Sequence, residues 1–274
     1  MKDYKSAIKT VQGNEGEKCN YPTRLDTYGC GCQHDCKYCY AKSLLDFRDL
    51  WNASKPSVAP ISDISKEIKK NKRKDVLRLG GMTDCFQPVE KLYRNTYKTI
   101  KLLNKYQVPY LIVTKSAMVA EYSDIMDKDL AHIQITVTTL DDALSATYEK
   151  ASNPTDRVQA IKTLQDKGFD VQLRLSPYIP ENVSVKEISD LGVRKVLVEF
   201  LRVNPFIQKQ FDIDYSDYII KQNGYRHLPL ERKIELLQGL DVEETSVCED
   251  EDQAYMYWKY NYNHNSEDCC NLRK

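Results

Sequence analysis

The chain has 274 residues, with 40 basic and 40 acidic side chains, so its formal charge at neutral pH is zero. That balance excludes a global attraction to nucleic acid or to an anionic membrane, while leaving room for a local basic groove. The length suits one large domain, since α/β barrels run past roughly 200 residues as single units, and it suffices for a substantial core. No apolar run approaches the roughly 20 residues that span a bilayer. Met1–Lys5 has no apolar stretch of the kind an export signal carries. Nine cysteines without such a signal read as metal ligands and thiols rather than disulfides, which predicts a reducing, cytoplasmic location.

Residues 1–27 read as an N-terminal extension of mixed polarity, in which the lone Cys19 is a bystander. Residues 28–40 form a polar, glycine-containing loop expected to follow a short first strand. In it Cys32, Cys36 and Cys39 stand in a C-x3-C-x2-C spacing, with Tyr38 just before the last cysteine. Three thiolates so close together reach one metal centre from a single loop. A 4Fe–4S cluster is normally held by four cysteines, so three close ligands suggest a cluster with one iron open to a small molecule. Zinc is the rival. Its ligands usually come as two short arms, however, and His34 has no partner at that spacing. Cys30 is an extra ligand or merely a neighbour of the loop.

A helix is expected over Ala41–Trp51, with an apolar face of Leu44, Leu45, Phe47, Leu50 and Trp51. After a loop with Pro56 and Pro60, Ser62 or Asp63 caps a lysine-rich helix from Ile64 to about Lys72. From there the pattern alternates as in a parallel sheet wrapped by helices. Strands are predicted at Asp75–Leu79, Pro109–Val113, Ala131–Val137, Val171–Leu175 and Lys195–Phe200. Helices are predicted at about Leu92–Tyr106, at Val119–Lys128, from Thr155 or Asp156 to Lys167 before a closing Gly168, and at Val185–Leu191. With a strand ahead of the cysteine loop this makes about six βα units. After Val203 the period degrades. Residues 204–230 mix aromatic and polar groups, a helix covers Leu230–Leu237, and a short strand lies near Val242–Val247. The tail, 248–274, carries Cys248, Cys269 and Cys270.

The C-x3-C-x-aromatic-C loop resembles the signature of radical S-adenosylmethionine (SAM) enzymes. The resemblance implies an open iron that chelates the amino and carboxylate groups of SAM, and a reduced cluster that cleaves the sulfonium to a 5′-deoxyadenosyl radical. It also implies an α/β fold, a partial open TIM-like (βα)6 barrel over residues 28–203. An irregular C-terminal extension, 204–274, follows, and the tyrosines and Trp258 of its tail would let it close over the active site. The runs Thr83–Lys91, Val113–Ser116, Thr138–Asp141, Asn153–Arg157 and Ser176–Pro180 narrow the likeness to the spore photoproduct lyase-like (DNA repair photolyase-like) branch, across roughly residues 28–200.

In barrels of this kind functional groups gather at the C-terminal ends of the strands. Gly80 and Gly81 let a ligand approach the backbone closely. They occupy the place of the glycine-glycine-glutamate motif that binds the SAM amino group in this superfamily. Met82 replaces the glutamate, which leaves that contact to the backbone, Thr83 or Asp84; an ordinary turn is the alternative. Lys115 can meet the SAM carboxylate or a substrate phosphate. Arg174, alternating with Leu173 and Leu175, points into the lumen. A buried guanidinium needs a partner there, either the SAM carboxylate, Glu149 or Glu199. Thr138 and Ser176 are candidates for ribose or methionine contacts, and Tyr38 for a cofactor contact. In the lyase a cysteine ahead of the Thr83–Asp84 segment donates hydrogen to the substrate radical. Gly81 stands in its place, and Cys85 is either a displaced donor or a core thiol. Tyr40 matches the tyrosine used beside the last cluster cysteine, or simply packs.

Cys248, Cys269 and Cys270 are candidate ligands of a second cluster or metal. Adjacent side chains diverge, however, and a structural or redox role is the expected alternative. The sequence therefore points to a radical SAM enzyme supplied by a flavodoxin- or ferredoxin-type electron donor. By branch analogy alone, its substrate is a nucleic acid or nucleotide. Tyr, Lys and Arg side chains over 204–233 would offer stacking and phosphate contacts. Radical modification of a peptide or small metabolite is the alternative activity, and a zinc-binding nucleic-acid module the non-enzymatic one.

Overall fold

The computed structural model of the chain describes residues 7–71 and 75–273. The first six residues of the predicted extension, the Lys72 end of the lysine-rich helix and Lys274 lie outside the described residues. Twelve strands follow in chain order: β1 (Ile8–Thr10), β2 (Thr23–Leu25), β3 (Tyr28–Gly29), β4 (Ser57–Val58), β5 (Leu77–Leu79), β6 (Tyr110–Thr114), β7 (Ala131–Val137), β8 (Asp170–Tyr178), β9 (Lys195–Phe200), β10 (Ile220–Gln222), β11 (Tyr225–His227) and β12 (Glu244–Val247). Eight of them form one sheet in the order β1-β2-β5-β6-β7-β8-β9-β12. Only β1, antiparallel to β2, departs from a parallel arrangement. The composition explains this. Every residue of Ala131–Val137 is buried, as a strand covered by helices on its outer face and by the filled lumen on its inner face requires. Strands in sequential order, with helices between them, make a partial TIM-like barrel of six βα units from β2 to β9.

Two segments expected to lie outside the barrel contribute to its sheet. The first parallel strand, β2, falls within residues 1–27. The C-terminal extension supplies a seventh, β12, the short strand expected near Val242–Val247, which runs parallel to β9 and pairs Glu244–Val247 with Lys195–Val198. Trp258, on the helix Asp252–Asn261, is buried and stacked on Phe200 at 6.4 Å. The extension is therefore less irregular than the sequence suggested. A helix at Pro205–Gln210 and the β10–β11 hairpin were also unexpected there. Among the described residues no helix is long and apolar enough to cross a membrane.

Three helix expectations need correction. The first is the stretch Ala41–Trp51, where a helix at Tyr40–Leu45 passes into a 3-10 turn at Asp46–Arg48 and leaves Phe47 exposed. The second is Leu92–Tyr106, which breaks at Arg94 (φ 50°), between Glu90–Tyr93 and Asn95–Tyr106. Buried Glu90 causes that break by acting as acceptor for the new helix, at 2.9 Å from Thr96 N and 3.0 Å from Tyr97 N, where a negative charge suits the N-terminus. The third is Val119–Lys128, which gives way to a 3-10 helix at Ala117–Tyr122.

At the N-terminal ends of β7, β8 and β9 the tail closes the barrel through Asp170. Its carboxylate meets His132 Nδ1 at 2.8 Å, Lys195 Nζ at 3.0 Å and Arg273 N at 2.9 Å. Burial pushes this carboxyl up, but those hydrogen bonds more than offset it and hold it well below the usual carboxylate range. A depressed carboxyl contributes stability that is complete above its unfolded pKa, about 3.9, and is lost as the pH falls below that. Between about pH 5 and about pH 3 the wild type should lose more stability in urea titrations than Asp170→Asn. Equal losses would show that Asp170 plays no part in acid unfolding.

Candidate active site

One cavity at the C-terminal ends of the strands collects Cys32, Cys36 and Cys39 with Gly80, Gly81, Lys115, Arg174 and Ser176. Tyr40, Thr83 and Asp84 also reach its wall. Backbone hydrogen bonds set the conformation of the cysteine loop. Asp35 N donates to Cys32 O at 3.1 Å and Cys39 N to Cys36 O at 3.2 Å. The turn before the helix Pro154–Asp166 clamps it further, through Lys37 N to Tyr148 O (2.9 Å) and Lys150 N to His34 O (2.6 Å). Gln33 and Gln87 tie it to the loop after β5: Gln33 N donates to Gln87 Oε1 at 2.9 Å, and Val89 N to Gln33 Oε1 at 2.6 Å. Burial pushes the Cys32 thiol up to about 12, and raises Cys36 and Cys39 as well. Such sulfurs become thiolates when a cation or a metal holds them.

The glycine turn is sterically required. Gly80 has φ +88°, and a Cβ there would lie 2.3 Å from Val113 O. The N–H groups of this turn point to Asp26, whose carboxylate accepts from Gly81 at 2.9 Å, Met82 at 3.1 Å and Thr83 at 3.4 Å. Its carbonyl side faces the tyrosine: Tyr40 OH donates to Gly81 O at 2.6 Å. Thr83 Oγ1 donates to Tyr28 O at 2.6 Å. The Asp84 carboxylate accepts from Phe86 N, Thr114 Oγ1 and Lys115 N at 2.7–2.8 Å and lies 3.3 Å from His34 Nδ1. Burial pushes it up, but His34 and those N–H groups outweigh burial and leave it at about 2. Thr83 and Asp84 thus brace the loop, with their polar atoms already engaged.

Most cations on the wall are also paired. Arg174 reaches the lumen as its alternation predicts, but its fork is taken by Gln134 at 2.8 Å and Glu199 at 2.5 Å. Ser176 Oγ donates to the same Glu199 at 2.7 Å. Arg24 pairs with Glu15 at 2.5 Å, and Arg202 with Asp250 at 2.7 Å. Lys115 differs. Among the described residues its Nζ meets only Ser176 O, at 3.4 Å, and it lies 5.5 Å above the Tyr38 ring, and its charge acts on Cys36 and Cys39. Arg78 also lines the cavity, with Nε buried and without a hydrogen-bond partner.

Three predicted site residues lie away from this wall. Cys85 is 1% exposed and packs in the hydrophobic core, so its thiol is the core thiol of the two readings. Thr138 is buried against Tyr148 OH at 3.0 Å, and Thr136 lines the cavity in its place. Tyr38 is buried between Tyr148 and Phe211 and hydrogen-bonds through its hydroxyl to Glu149. The sequence reading missed Asp26, Arg78 and the bracing role of Glu149. Asp26 left a signal as an acidic residue directly after the first barrel strand, and Arg78 left the same alternation, between Leu77 and Leu79, that places Arg174 in the lumen.

Residues 27–192, more than half of the chain, match the model of the Radical SAM superfamily. An uncharacterized protein of Methanocaldococcus jannaschii is 28% identical over 174 residues, 62% of this chain and 65% of that protein, so the chain spans less than two-thirds of that relative. Among solved structures, spore photoproduct lyase complexed with dinucleoside spore photoproduct aligns over 93% of this chain and 78% of that one, with a TM-score of 0.64 and 14% identity. SuiB of Streptococcus suis bound to S-adenosylmethionine aligns over 84% of this chain and 51% of that one, with a TM-score of 0.54 and 12% identity. At these identities the structural likeness is one of fold. The match over residues 27–192 establishes the family: the chain belongs to the radical SAM superfamily, which implies a 4Fe–4S cluster and SAM.

Proposed function

We propose that this chain reductively cleaves SAM and abstracts hydrogen from a nucleic acid or nucleotide substrate. The observation that carries the proposal is the meeting of Cys32, Cys36 and Cys39 with the Gly80–Gly81 turn and Lys115 around one cavity. Cys32, Cys36 and Cys39 would hold the cluster. Their spread fits it. Among the described residues, the three ligand atoms that come within 4.8 Å of one another are those of His227, Glu249 and Asp250, and that set is neutralised by Lys233 and Arg202. The loop sulfurs are spaced more widely, which suits several irons better than one zinc ion with bonds of about 2.3 Å.

When bound and reduced, the cluster supplies the electron that splits the SAM sulfonium. The chain's own residues bind and orient. Lys115, the cation beside the loop with only a carbonyl partner, holds the SAM carboxylate. The carbonyl side of the Gly80–Gly81 turn, fixed by Tyr40, receives the amino group. Arg174 and Ser176 act through Glu199 and position it. Tyr38 positions the loop. A flavodoxin- or ferredoxin-type protein delivers the electron.

For the substrate, the lyase alignments name a dinucleoside photoproduct and cover 78% of that chain. The SuiB alignment with a precursor peptide covers 51%, which makes the peptide the second choice. Reduced, cluster-loaded protein should form 5′-deoxyadenosine faster with an oligonucleotide or nucleotide than with a peptide. Stimulation by peptide alone would overturn the substrate class. Removing one charge-assisted contact costs roughly 1.5–3 kcal/mol. Lys115→Ala should therefore raise the SAM Kd by roughly 10–100-fold in equilibrium dialysis. An unchanged Kd would remove Lys115 from the carboxylate site.

A further inference from the structure

The fold gathers the tail cysteines at a single place. Cys248 follows β12 directly, with its N–H donating to Val198 O at 2.8 Å. It lies on the cavity wall with Cys269 and with Cys19, which comes from the opposite end of the chain. Two hydrogen bonds fasten those ends together, and a third holds Cys270 within the tail. Asn20 Nδ2 donates to Glu267 O at 2.5 Å, Tyr21 OH to Asp268 Oδ2 at 2.5 Å, and Cys270 N to Asp268 Oδ1 at 2.9 Å. Cys269 lies close enough to Cys248 and Cys270, and Cys19 close enough to the same two, for their charges to act on one another. None of the four is in a disulfide.

Ordinary core packing does not account for this set. Cys19, Cys248 and Cys269 are only partly buried and front a cavity whose wall also carries Arg78 and Arg174. The charges of Arg78 and Arg174 act on Cys270, and that of Arg78 on Cys19. Arg78 brings a buried Nε with no hydrogen-bond partner to the same wall. Guanidinium groups beside four thiols suit a centre that carries thiolate charge.

We propose that Cys19, Cys248 and Cys269, on the wall of the cavity that Cys32, Cys36 and Cys39 also line, hold a second iron–sulfur cluster together with Cys270, the next residue in the chain. Thiolate sets select zinc, copper(I) or iron–sulfur clusters. A zinc ion draws its ligands close, yet among the described residues no three cysteine sulfurs lie within 4.8 Å of one another. The wider spacing suits a cluster. It also resolves the awkwardness of adjacent Cys269 and Cys270, whose diverging side chains would reach different irons of one cluster. Four thiolates leave no iron open, so this centre would not take SAM. The sequence reading treated Cys19 as a bystander and favoured a structural tail; the structure supplies the fourth ligand.

The test is metal and sulfide analysis of the anaerobically reconstituted full chain. Wild type should hold about eight irons, as two four-iron clusters. Cys19→Ala/Cys269→Ala should hold about four, and Cys32→Ala/Cys36→Ala/Cys39→Ala should also keep about four, with a cluster signal in electron paramagnetic resonance after reduction. An iron-free triple variant overturns the second centre, as does about one zinc per chain that is lost with Cys19→Ala/Cys269→Ala. The triple variant decides the question even where the double variant does not fold. Failure of the first cluster alone would look different: about four irons in wild type, all retained by the triple variant.

Discussion

Cys32→Ala, Cys36→Ala and Cys39→Ala should each abolish 5′-deoxyadenosine release from SAM, while reduced wild type releases it slowly even without substrate. The effect is expected to be total because the three sulfurs would be the only protein ligands of the SAM-binding cluster, and removing any one leaves an iron without its anchor. Loss of fold is not the expected cause. The loop is fixed by Lys37 N to Tyr148 O, Lys150 N to His34 O and the Gln33–Gln87 contacts, none of which uses a thiol. The sulfurs themselves make only weak contacts, such as Lys42 N to Cys39 Sγ at 3.5 Å. Melting curves of the variants should therefore stay close to wild type while cleavage disappears in a chromatographic assay. Full cleavage by any one of them would sink the assignment.

The legible parts of the chain were those with a period or a fixed spacing. Lys195–Phe200 and Leu230–Leu237 were placed to the residue, because a buried parallel strand is a continuous apolar run and an amphipathic helix repeats. The cysteine spacing and the glycine pair were legible because metal ligation and backbone approach allow few alternatives. The β10–β11 hairpin was not expected from the sequence, although its turn, Asn223-Gly224 with both residues at positive φ, is the pair a two-residue hairpin demands. The break at Arg94 was not readable. It depends on Glu90, Tyr28 and Tyr122 meeting in space, and helix propensity carries no trace of that. Arg174 shows the limit most clearly. Alternation placed it in the lumen, but only the fold decides that Glu199 takes its guanidinium. Cys19 and the tail thiols fall in the same class, since their meeting depends on contacts between the two ends of the chain.

Glu149→Gln should cost about 3–5 kcal/mol of stability and lower the melting temperature by on the order of 10 °C. Glu149 and Arg157 form an ion pair with neither side chain exposed. Around it Arg157 donates to Ser152 O at 2.6 Å and Thr136 O at 3.1 Å, while Glu149 accepts from Ser145 Oγ at 3.1 Å and from the Tyr38 hydroxyl. Burial raises the Glu149 carboxyl, but Arg157, then Lys115 and Tyr38, hold it below its ordinary value. Glutamine preserves the shape and removes the charge, so Arg157 is left buried without a counter-ion. Replacing both partners removes that penalty: Glu149→Gln/Arg157→Met should melt above Glu149→Gln alone, since a buried pair exchanged for a packed apolar group is often neutral. The same change should reach the site, because Glu149 anchors Tyr38 within the cysteine loop. Iron loading should fall in Glu149→Gln at temperatures where the protein is still folded. A melting temperature equal to wild type, or strictly additive losses across the double-mutant cycle, would show that the pair neither stabilises this barrel nor braces its loop.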